Sequence, residues 1–184
     1  MAYDYQARMR GHRDQLEAVA ELRTAEVETW LNDHLAQARF ISSGQRWSAL
    51  YGRWRDGGDT TSRDQLMQRA SDFRQSFGGR QVWLLDEQGR WAAGDPAEPA
   101  TIPARLAAAA RQAIAVGEVS HTGLYADPPQ SGQVWLDVIA PLAGPGAPAR
   151  AAMVLHIDAT QTLLRPLDRW PLPSRTAATL LVQQ

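Results

Sequence analysis

The sequence predicts an α+β domain, a sheet of about five mostly antiparallel strands with a long helix ahead of it and helices gathered at the N-terminus and on one side. Three observations carry that expectation. Arg13 to Ser43 contains neither Gly nor Pro. The run QVWLDVIAPLAGPGAPARAAMVLHID, Gln133 to Asp158, is two apolar stretches, Val134 to Leu142 and Ala151 to Ile157, broken by Gly144 to Pro148. It reads as an antiparallel hairpin. A second hairpin is predicted from Arg80 to Asp86, the turn Asp86-Glu87-Gln88-Gly89 and the return from Arg90 to Ala93.

In chain order, the first element is one long helix flanked by Gly11 and Gly44, with Leu16, Val19, Val27, Trp30, Leu31, Leu35, Ala38 and Ile41 at three- and four-residue steps. At 1.5 Å per residue it reaches roughly 45 Å, longer than a small domain is wide. Its C-terminal half is expected to cap the sheet, and the rest to project or pair with another copy. Trp47, Leu50, Tyr51 and Trp54 continue at helical spacing to Gly57-Gly58. A third helix follows, with Ser62 and Gln65 resembling a capping box, Leu66, Met67, Ala70, Phe73 and Phe77 as its stripe, and Gly78-Gly79 at its end.

Gly94 to Pro99 reads as a loop, after which Pro103 sits in the first turn of a helix that buries Leu106, Ala110 and Ile114 and stops at Gly117. Val119 to Tyr125 is the strand leading into the central hairpin. That hairpin has apolar residues on both parities, with Leu136 and Val138 opposing Trp135 and Ile139, so both of its faces must be covered. After Asp158, Thr162 to Trp170 begins as a short helix carrying Pro166, and WPLPSRT is irregular. Thr179 to Val182 reads as the start of a strand without its partner, so a longer protein is expected beyond Gln184.

Composition narrows the chemistry. With 184 residues the chain can build one well-buried core. Its formal charge of -1, with both signs interspersed, argues against a nucleic-acid surface. The absence of Lys removes Schiff-base, phosphate-loop and Ser-Lys mechanisms, and the absence of Cys removes thiol nucleophiles, thiolate metal sites and disulfides. No run of about 18 apolar residues occurs. Neither H-E-x-x-H nor G-x-S-x-G is present. No catalytic residue, metal or cofactor is expected.

Candidate binding residues are the polar groups that interrupt core strands and the aromatics beside them. Asp137 and Asp158 can hold an ammonium or guanidinium group, because ion pairing in a cavity offsets part of the desolvation of a carboxylate. Asp158 reads equally as a cap of the following helix, and Asp137 as a residue meeting solvent. His121 and His156 can hydrogen-bond a ligand or stand satisfied on their own. Trp83, Trp91, Tyr125 and Trp135 can line an apolar pocket or fill the core.

The order of these features resembles the Cache family, PAS-like sensor modules of transmembrane receptors. LLDEQGRWAAGD is similar to the family's strand, D-x-x-G-R, strand opening. YADPPQSG followed by VWLDVIAPL is similar to its Tyr-x-Asp, Ser/Thr-Gly, strand, Pro passage. AAMVLHIDATQTLL is similar to the closing strand that ends in Ile-Asp and enters a helix, and WPLPSRTAATLLV to the opening of a membrane-proximal second module.

The resemblance implies a PAS-like five-stranded antiparallel sheet with a long N-terminal helix, divided as residues 1–44, signalling helix, 45–165, sensor module, and 166–184, linker into a following module. It implies the periplasmic input domain of a bacterial inner-membrane receptor, the first of two modules ahead of a diguanylate cyclase or histidine kinase. The expected partners are a small-molecule ligand, an amine or organic acid, and a second copy through the N-terminal helix, with any enzymatic output outside this chain. In amino-acid-binding members an Arg-x-x-Trp-Tyr cluster, a middle-strand Tyr and a last-strand Asp form the site. Tyr125 and Asp158 match the last two, while IPARLAAAARQAIA occupies the interval of the first. The alternative function is a dimerisation or docking module that binds no small molecule.

Overall fold

The computed structural model describes residues 2–77, 81–95, 101–128 and 131–168, with the side chains of residues 2–12 and of Phe77 left undescribed. Gly78-Gly79, the end of the Gly94 to Pro99 loop and the expected strand at Thr179 to Val182 lie outside the described residues. Helix α1 is Ala2–Ser43, α2 Gln45–Gly57 and α3 Thr60–Phe77. Then come β1 Gln81–Asp86, β2 Trp91–Asp95, α4 Ala104–Val116, β3 Ser120–Ala126, β4 Val134–Ala143 and β5 Ala149–Asp158. A π-helical turn, Thr160–Leu164, and a last helical turn, α5 Arg165–Leu167, follow β5.

The five strands form one antiparallel sheet in the order β2-β1-β5-β4-β3. The predicted central hairpin, β4 and β5, occupies the interior, and its apolar residues are buried on both faces. One face carries Val82, Leu84, Leu136, Val138, Met153 and Leu155 against α1, α2 and α3 through Ile41, Leu50 and Leu66. The other carries Trp83, Leu85, Ile139 and Val154 against Leu106, Ala110 and Ile114 of α4. The helices are therefore not confined to one side. Helix α4 covers the face opposite α1–α3, because the second parity of β1, β4 and β5 is as apolar as the first and needs its own cover.

Three local expectations change. Helix α1 runs through Gly11 to Ala2, since a single Gly costs a helix only about 1 kcal/mol relative to Ala and does not break it. The cap of α3 is Asp59 and not Ser62: Asp59 Oδ1 accepts from the Ser62 N–H at 3.2 Å and Oδ2 from the Ser62 hydroxyl at 2.6 Å. Ser62 sits in the first turn, where Arg53 Nε donates to its oxygen. Pro103 stands at the N-cap of α4 with extended ψ of 135°, just outside the helix.

The long helix is anchored at two places. Ala38 and Ile41 are fully buried on the sheet, and Val27 and Trp30 pack against Ala159, Leu163 and Leu167 of the segment that follows β5. Val19 is buried as well, whereas Leu16 and Leu22 are 59% and 49% exposed. At the turn between β1 and β2, Gly89 has φ of +72°, and a Cβ there would stand 2.6 Å from the Ala107 carbonyl oxygen. Glycine is required at that position both by the left-handed backbone and by the approach of α4.

Candidate functional site

Strand register places the candidate residues. Asp137 on β4 is directly opposite His156 on β5. Gln81 is opposite His156 and Trp83 opposite Val154 on the other side, while Trp135 is opposite Asp158. Trp83 and Trp135 are thus both diagonal to His156 and close enough for long side chains to meet. All four point to the α4 side of the sheet, and Tyr125 joins them because β3 pairs it with Trp135.

These five residues form one cluster. The His156 ring lies between two indoles, with its centroid 4.5 Å from Trp83 at an interplanar angle of 18° and 4.1 Å from Trp135 at 17°. His156 Nδ1 is 2.6 Å from Asp137 Oδ1, and the Tyr125 hydroxyl donates to Asp137 Oδ2 at 2.5 Å. Asp137 is fully buried, so the reading in which it meets solvent does not hold. A carboxylate only accepts, so with Asp137 ionised the proton on the shared line belongs to His156 Nδ1. Burial first, and then the neighbouring Asp137, push the Tyr125 hydroxyl well above its ordinary range, which keeps it a donor.

The other candidates sit elsewhere. Asp158 caps the segment after β5, accepting the Gln161 N–H on Oδ1 at 3.2 Å. Its cap role is thus present, and it borders the cluster through its pairing with Trp135. His121 is exposed and accepts the Gly123 N–H on its own Nδ1. An irregularity between His121 and Leu124 inserts one extra residue opposite β4. The shift pairs His121 with Val138, on the face opposite Tyr125. Trp91 is half-buried on the α4 side. It borders Trp83 across Gly94, where a Cβ would meet both indoles within 3.3 Å.

Two contributors were not visible in the sequence. Thr122, at the bulge, accepts the Asp137 backbone N–H on its hydroxyl at 3.1 Å, replacing a lost ladder bond. Arg105, in the first turn of α4, places its guanidinium 5.2 Å from the centre of the Tyr125 ring. The signal for Arg105 is its place at a helix start, and it means something only once α4 is known to lie over β3. Beside this pair is an open cleft of about 600 Å³, bounded by residues 101–105 and by Leu124, Tyr125, Ala126 and Asp127. Tyr125 therefore belongs to both the cleft and the buried cluster. Among the described residues no group of three or more His, Cys, Asp or Glu is gathered as a metal site requires.

From the cleft, packing continues to the long helix. Leu124 and Val134 join Ala159, Leu163 and Leu167 in a small apolar cluster with Val27 and Trp30 of α1. The Thr160 hydroxyl accepts the Val134 N–H at 2.6 Å, tying the start of β4 to the π-helical turn. Strands and exit segment are thus joined at one corner of the sheet.

No family model matches the sequence, and no curated protein matches it. Solved structures do resemble the fold. The sensor domain of the V. cholerae histidine kinase DctB superposes with a TM-score of 0.58 at 16% identity, over 85% of this chain and 58% of that one. A domain of a sensory box/GGDEF family protein from Vibrio parahaemolyticus gives 0.56 at 16% identity, over 84% of this chain and 63% of that one. The chain spans less than two thirds of either. At this identity the likeness is one of fold.

Proposed function

From the premise that the chain has a Cache-type sensor fold, we propose that it is the ligand-sensing input domain of a transmembrane signal transducer. The supporting observation is the corner cluster of Leu124, Val134, Ala159, Leu163 and Leu167 against Val27 and Trp30. It joins a cleft-lining strand to the long helix. A ligand that prefers one placement of β3 shifts the population of that corner, and α1 carries the displacement. A coupling of about 1–3 kcal/mol is enough for a usable signal.

In this reading the ligand is a small organic acid in the cleft, since Arg105 is the cation at its wall and Tyr125 offers a flat apolar face. The domain works on the periplasmic side, as the first of two modules (1–44 helix, 45–165 sensor, 166–184 linker) ahead of a cyclase or kinase, and is itself non-catalytic. Among the described residues no helix is long and apolar enough to cross a membrane.

Thermal-shift titration with mono- and dicarboxylates, amines and amino acids tests the reading. Carboxylates are expected to raise the melting temperature of the wild type and not of Arg105→Ala. If no compound in the panel shifts the wild type, the ligand-binding reading is lost. The second reading, a dimerisation module, draws on exposed Leu16 and Leu22 of α1. Concentration-dependent association that disappears with Leu16→Glu would favour it.

A further inference from the structure

The buried cluster is built like a binding cage, and its occupant is part of the chain. A flat ring lies between two indole faces, each within 4.5 Å and nearly parallel. A carboxylate lies on the ring's edge, 2.6 Å from a ring nitrogen. Tyr125 occupies the second oxygen of that carboxylate and aligns it. Indole faces and a buried carboxylate are the groups that attract a flat, N–H-bearing or cationic guest in a desolvated site. The register explains the construction: diagonal positions on the strands flanking β5 bring an indole to each side of residue 156, and the direct partner brings the acid.

We propose that Trp83, Trp135, Asp137 and Tyr125 form a site for protonated amines and azoles, and that His156 is its resident ligand. His156 is then the specificity-determining residue of the domain. With the imidazole in place, a ligand entering the adjoining cleft finds the Tyr125 ring and Arg105 but no free carboxylate face at Asp137. A cationic head therefore finds no place at Asp137 and meets Asp127 as the acid at the cleft wall, whereas an anion meets Arg105. Only this consequence for specificity rests on the cleft being the ligand site. The occupancy of the cage by His156 does not.

The experiment compares wild type with His156→Ala, using imidazole and methylammonium as probes and reading intrinsic tryptophan fluorescence and melting temperature. His156→Ala is expected to melt lower than wild type and to be restored by imidazole in a saturable manner, with a blue shift as the indoles are covered again. Adding Asp137→Asn to that variant is expected to weaken imidazole binding about tenfold or more, because the charge-assisted hydrogen bond becomes a neutral one. A folded His156→Ala protein that takes up no imidazole overturns the proposal. If His156→Ala folds only with imidazole present, the proposal is supported. If it folds in neither condition, the wild type decides: a saturable fluorescence response to imidazole or methylammonium overturns the proposal, and a flat response upholds it. Carboxylate titration of the wild type through Arg105 is scored separately, so loss of the cleft reading and loss of the cage reading give different results.

Discussion

The coupling between Tyr125 and Asp137 can be worked out from the geometry. Asp137 is fully buried and holds two short hydrogen bonds, one from the Tyr125 hydroxyl at 2.5 Å and one with His156 Nδ1 at 2.6 Å. A hydrogen bond to a charged group contributes about 1.5–3 kcal/mol, and a buried partner left alone carries its desolvation cost in addition. Tyr125→Phe removes one of the two bonds and is expected to cost about 2 kcal/mol. Asp137→Asn keeps the shape but removes the charge from both, costing about 3 kcal/mol. In the double variant the Tyr125 bond is lost only once, so its cost is about 3–4 kcal/mol rather than the sum, a coupling of about 1–2 kcal/mol. Urea unfolding at neutral pH, followed by tryptophan fluorescence, measures all four corners of the cycle. With a slope of about 3 kcal/mol per molar urea for a chain of this size, 2 kcal/mol moves the midpoint by roughly 0.7 M. Additivity to within about 0.5 kcal/mol would refute the reasoning, since residues that share no interaction behave that way.

Two further outcomes follow from single positions. Gly89→Ala is expected to destabilise by at least about 2 kcal/mol, combining the left-handed backbone penalty with a Cβ 2.6 Å from the Ala107 carbonyl oxygen; a melting temperature within a degree or so of wild type would contradict that contact. Burial and Asp137 raise the Tyr125 hydroxyl above its ordinary value of 10.0. A raised acid contributes stability that is full below the unfolded-state value and lost as pH climbs past it. The urea midpoint should therefore fall from about pH 10 upward, and the fall should be shallower in Tyr125→Phe. Parallel alkaline slopes for the two proteins would show that another group is responsible.

The order of elements and the paired apolar faces of the central hairpin can be read from the residues alone. Both are written in local pattern: neither Gly nor Pro from Arg13 to Ser43, an apolar run on both parities through VWLDVIAPL, and turn residues between strands. Asp137 and His156 also stand out in the sequence as polar groups on core strands, while their meeting in one cluster does not. Local period carries no information on which strand lies beside which. The order β2-β1-β5-β4-β3 brings Trp83 and Trp135 to opposite sides of His156. One extra residue in β3 turns His121 from the face of Tyr125 to the other. The crossing of α4 over β3 gives Arg105 its place above the Tyr125 ring, and leaves α4 opposite α1–α3 rather than beside them. Each of these depends on register and crossover between distant segments, which only the packed sheet fixes, because a one-residue slip exchanges every side chain between faces at no cost to the local pattern.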